Sequence, residues 1–68
     1  MKGFMFMLRC ADGSYYTECT NNLDLRLRQH HLGEGTNFTI KRLPVELVYV
    51  EVYPRIDLAL LRSQQVNS

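Results

Sequence analysis

One stretch near the start of this 68-residue chain decides the fold: FMFMLRCADGSYYTEC, residues 4–19. Side chains alternate along residues 4–10 in the way that is typical of a strand. Asp12-Gly13 follows and is a strong hairpin turn signal. Residues 14–19 then carry the aromatic and β-branched side chains of a returning strand. This stretch therefore predicts a β-hairpin.

Two further segments follow the hairpin. Candidate N-caps at residues 20–22, helical spacing of Leu23 and Leu27, and Gly33 as a terminator predict a helix of about ten residues. A loop from Gly33 to Pro44 leads to a strand over residues 45–53. Both alternating faces of that strand are apolar, which predicts a central position in a sheet with both faces covered.

Pro54 ends the third strand, and Asp57 can cap a last helix. The apolar stripe of that helix is expected to include Ala59, Leu60 and Ser63. The elements thus follow the order β-β-α-β-α. This order indicates an α+β domain.

Composition limits the class of protein. Hydrophobic residues make up 46% and charged residues 22% of the chain, which is typical of a globular protein and excludes a disordered tail. No apolar run approaches the roughly 20 residues that span a bilayer, and because Lys2 and Gly3 do not resemble the start of a signal peptide, we expect none. We expect one domain over residues 1–68, a cytoplasmic location, no membrane contact, and reduced thiols at Cys10 and Cys19.

Basic residues are concentrated in one part of the chain. Four of the eight Lys and Arg residues lie between residues 26 and 42, where Glu34 is the only carboxylate. Such a local field suits contact with phosphates, although a solvated helix face and loop would show the same charges. The four residues are Arg26, Arg28, Lys41 and Arg42.

Four separated blocks, at residues 4–17, 20–30, 33–36 and 42–49, resemble the small stand-alone members of the GIY-YIG nuclease family. The resemblance implies a small three-stranded antiparallel sheet flanked by helices. It also implies hydrolysis of DNA phosphodiester bonds with Mg²⁺ or Mn²⁺, no small-molecule cofactor, and DNA as the partner.

The resemblance identifies three candidate catalytic residues. Tyr16 matches the tyrosine of the family's second motif, Arg26 the helix arginine, and His30 the histidine one turn later. A guanidinium suits a phosphate because it stays charged and binds two oxygens at once. A neutral imidazole can accept a proton from Tyr16 or from water. Arg28, Lys41 and Arg42 are candidate nucleic-acid contacts.

Four positions depart from the family pattern. Phe6 replaces the first-motif tyrosine, Glu18 the second-motif glycine, Phe38 a histidine or tyrosine, and Ser63 the metal-binding glutamate of the last helix. Because Ser63 is a poor ligand for a hard cation, we assign no metal ligand. These departures predict an endonuclease that is weak or inactive. The alternative is a non-catalytic module that binds nucleic acid or a protein.

Glu18 leaves two interpretations open. Residues two apart in a strand share a face, so Glu18 lies on the side of Tyr16. Its carboxylate could replace the missing metal ligand, or its bulk and charge could obstruct the phosphate, which we favour. The family also usually continues beyond the position of Ser68, and an exposed third strand or helix could then drive homodimer formation.

The hairpin register is constrained by the same resemblance. A two-residue turn at Asp12-Gly13 would pair Arg9 with Tyr16 and put Phe6 and Tyr16 on opposite faces. The family site requires both on one face. We therefore predict a three-residue loop or a bulge that shifts the pairing by one residue.

Overall fold

The computed structural model describes residues 1–67, which form three strands and three helices. The strands pair antiparallel in the order β2-β1-β3, so β1 is central. This sheet with its helices confirms the predicted α+β class and order, with one short helix added before the third strand. The elements are β1 (Gly3–Arg9), β2 (Tyr15–Thr20), α1 (Leu23–His31), α2 (Asn37–Ile40), β3 (Glu46–Tyr53) and α3 (Ile56–Asn67).

The hairpin between β1 and β2 has a three-residue loop. The amide of Cys10 donates to the carbonyl of Ser14 at 2.8 Å, and the amide of Gly13 donates back to the carbonyl of Cys10 at 3.0 Å. Gly13 has φ +85°, a left-handed conformation that glycine adopts at little cost. In the common three-residue hairpin loop, the last residue has the left-handed conformation, and Gly13 takes that position here.

This loop sets the register as predicted. Leu8 pairs with Tyr16 and Phe6 pairs with Glu18. Because side chains of directly opposed residues point to the same face, Phe6, Tyr16 and Glu18 all lie on one side of the sheet. The expectation of a loop that shifts the pairing by one residue is confirmed.

The position predicted for the third strand is wrong. β3 is an edge strand, and Val48, Tyr49 and Val52 expose 42%, 47% and 56% of their surface. Leu47 and Val50 do pack against the core, so part of the apolar pattern reflects burial. The rest faces solvent in the monomer, which the apolar pattern alone does not reveal.

The two faces of the sheet are covered by different helices. On one face, the buried cluster of Phe6, Leu8, Cys10 and Val45 packs against side chains of α1 and α2. On the other face, α3 lies so close to β1 that a Cβ on Gly3 would stand 2.6 Å from the Cα of Ile56. The sheet therefore separates α3 from α1 and α2.

α3 differs from its predicted form in two details. It begins at Ile56, so Asp57 lies in its first turn and not at the N-cap. Ala59 and Ser63 are buried as expected, but Leu60 is 46% exposed because it lies at the flank of the buried stripe and not within it. Within residues 1–67, no helix is both long enough and apolar enough to cross a membrane.

α1 has the predicted ends, whereas α2 was not predicted. The Asn22 side chain caps α1 by accepting from the amide of Leu25 at 3.1 Å, and Gly33, with φ +76°, follows its C-terminus. α2 is a single turn inside the predicted loop, held by a capping box between Thr36 and Thr39. Four residues are too few to show helical periodicity.

A polar cluster connects β3 to α3. The Glu51 carboxylate accepts hydrogen bonds from the Tyr49 and Tyr53 hydroxyls, each at 2.6 Å, and from Nε of Arg62 at 3.0 Å. The hydrogen bonds from the Tyr49 hydroxyl, then from the Tyr53 hydroxyl and the Arg62 guanidinium, lower the pKa of Glu51 from 4.5 to about 2. Each bond favours the ionised carboxylate.

This cluster gives a prediction about pH. Because the pKa of Glu51 is lower in the folded chain, its contribution to stability is complete above pH 4.5 and is lost as the pH falls towards about 2. The difference in urea midpoint between the wild type and Glu51→Gln should follow that course. Glu46→Gln is the control, since Glu46 is exposed on the same strand. A Glu51→Gln difference that stays constant down to pH 2 would contradict the prediction.

Candidate functional site

The site is built around an ion pair between β2 and α1. Glu18 accepts three hydrogen bonds from Arg26: two from Nε, at 3.1 and 3.0 Å, and one from Nη2 at 2.8 Å. The third nitrogen, Nη1, donates to Oε1 of Gln29 at 3.0 Å. The Arg26 and Glu18 side chains are only 25% and 18% exposed. Hydrogen bonding to Glu18 is the main reason that the pKa of Arg26 is raised.

His30 lies directly behind this pair and is fully buried. Its Nε2 lies 3.0 Å from Oε1 of Glu18, and its Nδ1 lies 3.0 Å from Oγ1 of Thr39. An ionised carboxylate only accepts hydrogen bonds, so Nε2 must carry a proton in this contact. Both ring nitrogens of His30 are therefore engaged.

The loop after α1 passes unusually close to this imidazole. A Cβ on Gly35 would clash with Nδ1 of His30 and would stand 2.8 Å from Cε1. Real Cβ atoms do not approach ring atoms so closely, so a side chain at residue 35 is incompatible with the present ring position. Gly35 is thus required because the backbone itself covers His30.

Two aromatic rings contact the imidazole, and a third stacks on one of them. The ring of Phe6 lies 6.0 Å from that of His30 and the ring of Tyr16 lies 5.8 Å from it, both edge to face. Tyr16 also stacks on Phe38 at 5.6 Å and 22°. Burial is the main reason that the pKa of Tyr16 is raised, against an opposing effect of Thr36. The phenol is therefore protonated at neutral pH.

The three candidate nucleic-acid contacts differ in their surroundings. Arg42 lies 3.8 Å over the centre of the Phe38 ring, donates to Asp12 at 3.0 Å and donates to the Phe38 carbonyl at 2.8 Å. Its guanidinium thus holds loop segments together. Arg28 on α1 and Lys41 at the end of α2 are exposed. Arg28 and Lys41 are therefore the two candidates that solvent or a polyanion can reach freely.

Ser63 lies apart from the other site residues. It is buried on the sheet-facing side of α3, and its hydroxyl donates to the carbonyl of Leu60 at 2.8 Å. α3 covers the face of the sheet opposite to the one that carries Tyr16 and Glu18. The sequence predicts that all seven family positions lie in one site, whereas the structure brings six of them together. These six are Phe6, Tyr16, Glu18, Arg26, His30 and Phe38.

The side chains present do not fit a divalent cation. Mg²⁺ and Mn²⁺ prefer carboxylate, carbonyl and water oxygens. Glu18 is the carboxylate of the site, and both its oxygens already accept bonds from Arg26 and His30. Across residues 1–67, His, Cys, Asp and Glu side chains form no group of three that could hold a metal ion.

Two residues of the site could not be predicted from the sequence pattern. Thr39 bonds to His30 only because α2 turns back over α1, and the helix itself was not expected. Gly35 reads as one of several loop residues until the distance to His30 is known. The contact of Glu18 with Arg26 was also missed, since the strand pattern gave the side of Glu18 but not its partner.

A hairpin tyrosine, a helix arginine and a histidine one turn later thus lie on one face of a three-stranded sheet. The model of the GIY-YIG catalytic domain matches residues 2–65 of this chain. The chain therefore belongs to the GIY-YIG family.

Small stand-alone proteins are among the relatives. A UPF0213 protein of Streptococcus sanguinis is 45% identical over 59 residues, covering 87% of this chain and 68% of the relative. A UPF0213 protein of Haloquadratum walsbyi is 35% identical over 65 residues, covering 96% and 73%. The solution NMR structure of a UPF0213 protein from Bacillus halodurans superposes with a TM-score of 0.61 at 33% identity, covering 98% and 71%. This chain is similar in sequence to all three and similar in fold to the solved structure.

Proposed function

We propose that this chain is a GIY-YIG-type endonuclease domain whose hydrolysis of DNA is weak or absent, because its own Glu18 fills the phosphate-binding position. The observation that carries the proposal is the contact of one carboxylate with both Arg26 and His30. An arginine fork binds a carboxylate and a phosphate in the same way, through paired N–H groups. Glu18 therefore acts as an internal substitute for the substrate anion.

Displacing Glu18 is costly. A phosphate would have to take the place of a carboxylate that is tethered to the same hairpin, and the released carboxylate would then repel it. The buried Nε2 of His30 would also lose its acceptor, and a buried donor without a partner costs about 1–3 kcal/mol. The ground state of the site thus disfavours DNA.

The proton chemistry is also weakened. General bases contribute about 10²- to 10⁴-fold to a rate when they are placed near the proton they accept. Nε2 of His30 already carries a proton towards Glu18, and Nδ1 is taken by Thr39. Burial raises the pKa of Tyr16, so its phenol is a poor nucleophile at neutral pH. Phe6 adds no hydroxyl.

The test is a nicking assay on supercoiled and branched DNA with Mg²⁺ or Mn²⁺. We expect wild-type protein to give no more product than Arg26→Ala, because Arg26 is already neutralised by Glu18. Robust metal-dependent cleavage that disappears in Arg26→Ala would overturn the proposal. Thermal unfolding of both proteins shows whether the comparison is between folded chains.

A second candidate function is a non-catalytic module that binds nucleic acid or a protein in the cytoplasm. The exposure of Arg28 and Lys41 favours nucleic acid, since phosphate contacts do not need a working active site. Binding of duplex DNA that weakens steeply with salt, without cleavage, would support this function. DNA binding that is insensitive to salt would exclude phosphate contacts as its basis.

A further inference from the structure

The outer edge of β3 exposes apolar side chains that the candidate site does not use. We define the β3 edge as Val48, Tyr49, Val50, Glu51 and Val52. Because the strand order is β2-β1-β3, this strand has a neighbour on one side only. Main-chain groups on the free side of an edge strand can pair with another strand.

The two edge strands of the sheet are protected to different degrees. At the β2 edge, the side-chain amide of Asn67 donates to the carbonyl of Thr17 at 3.2 Å, so the end of α3 shields that strand. β3 has neither lysine nor proline, the residues that usually protect an edge. A bulge falls at Val48, which is left without a partner on β1 because Tyr49 pairs with Met7 and Leu47 pairs with Leu8. The part from Tyr49 onward remains regular.

We propose that the β3 edge pairs antiparallel with the β3 edge of a second copy of this chain. The two sheets would then join around a two-fold axis into one six-stranded sheet. Valine and tyrosine favour this setting, since they are among the side chains that pack best across neighbouring strands. The partner strand belongs to a second copy, because two β3 edges can pair antiparallel without placing like charges opposite each other.

Charge selects the register of this pairing. With the two-fold axis at Val50, Val48 lies opposite the partner's Val52, and Glu51 lies opposite the partner's Tyr49. With the axis at Glu51, two carboxylates would lie directly opposite each other, which is destabilising. The first register therefore pairs apolar with apolar side chains and a carboxylate with a phenol.

Glu51 does not prevent this approach. Its charge is already compensated by Arg62 and by the hydroxyls of Tyr49 and Tyr53 within its own chain. The net charge of each copy is only +1, so long-range repulsion between copies is small. The pairing also accounts for the apolar side chains that β3 presents on both faces.

Sedimentation equilibrium of the intact chain tests the proposal. We expect wild-type protein to reach twice the 8.0 kDa of one chain at high concentration. Val52→Lys should lose the dimer, because it places a charge against the partner's Val48. Leu61→Lys is the matched control, since Leu61 is also 56% exposed but lies on α3. A wild-type monomer, or dissociation by Leu61→Lys and not by Val52→Lys, would overturn the proposal.

Disulfide trapping tests the register separately, and it decides the question if Val52→Lys fails to fold. Directly opposed strand residues have Cα atoms about 4.5–5.5 Å apart, within the range that a disulfide spans. A mixture of Val48→Cys and Val52→Cys proteins with oxidised glutathione should give a crosslinked pair. Val52→Cys alone and the wild type, with its own Cys10 and Cys19, should give none. A mixture that crosslinks no better than these controls would contradict the register.

Discussion

Glu18→Gly is expected to bind DNA more tightly and to be less stable than the wild type. Removing the carboxylate frees the Arg26 fork, which now makes three hydrogen bonds to Glu18. A hydrogen bond to a charged group contributes about 1.5–3 kcal/mol, which corresponds to a roughly ten- to hundredfold gain in affinity. Fluorescence anisotropy with duplex and branched DNA at fixed salt measures this gain.

The loss of stability has a separate cause. Without Glu18, the buried Nε2 of His30 has no acceptor, and this costs about 1–3 kcal/mol. Glycine in a strand interior adds about 0.5–1 kcal/mol. Since 1 kcal/mol shifts the melting temperature of so small a domain by about 4–8 °C, the effect is easily seen by thermal unfolding. Tighter DNA binding together with lower stability distinguishes obstruction of the phosphate by Glu18 from a general loss of structure.

Two glutamine variants separate charge from position. Glu34→Gln changes the net charge of the chain by the same amount as Glu18→Gln but lies in an exposed loop, away from Arg26. If Glu18 obstructs the phosphate, Glu18→Gln should tighten DNA binding more than Glu34→Gln. Equal gains would mean that net charge alone is responsible. Loss of bound Mn²⁺ in Glu18→Gly would instead support the interpretation of Glu18 as a replacement metal ligand.

Gly35→Ala is expected to destabilise the chain strongly, although it adds only a methyl group. That methyl would clash with Nδ1 of His30, and the imidazole is held on both sides by Glu18 and Thr39. Adding a group to a well-packed interior typically costs about 1–3 kcal/mol, and more where neighbours are fixed. Urea unfolding of the wild type and the variant measures the difference.

A double-mutant cycle identifies the cause. In a His30→Ala background the methyl of Gly35→Ala has space, so the second substitution should cost much less than in the wild type. Equal costs in both backgrounds would show that the loop backbone, and not the contact with His30, requires glycine.

The predictions from sequence succeeded where the signal was local. The turn at Asp12-Gly13, the cap at Asn22 and the terminator at Gly33 each act through their own few bonds, and each was found as expected. The register followed from combining the turn with the requirement that Phe6 and Tyr16 share a face. Prediction failed for β3, because an apolar strand looks the same at the centre of a sheet and at an exposed edge.

The candidate site was predictable only in part for the same reason. Six of the seven family positions meet, but their bonds depend on the relation between elements distant in the chain. Ser63 was grouped with them from its place in the motif order, yet α3 lies across the sheet from Glu18. The direction from which a helix packs is decided by the whole core and not by its own sequence.

The sequence by itself determined the family, the order of the elements and the side of the hairpin on which Glu18 lies, since local turns and strand alternation fix these. Only the tertiary structure decided what Glu18 does there. Hydrogen bonds need atoms within about 3 Å, and only the packing of α1 and α2 against the sheet brings Arg26, His30 and Thr39 to that distance. The replaced glycine of the motif thereby becomes the centre of a satisfied polar network.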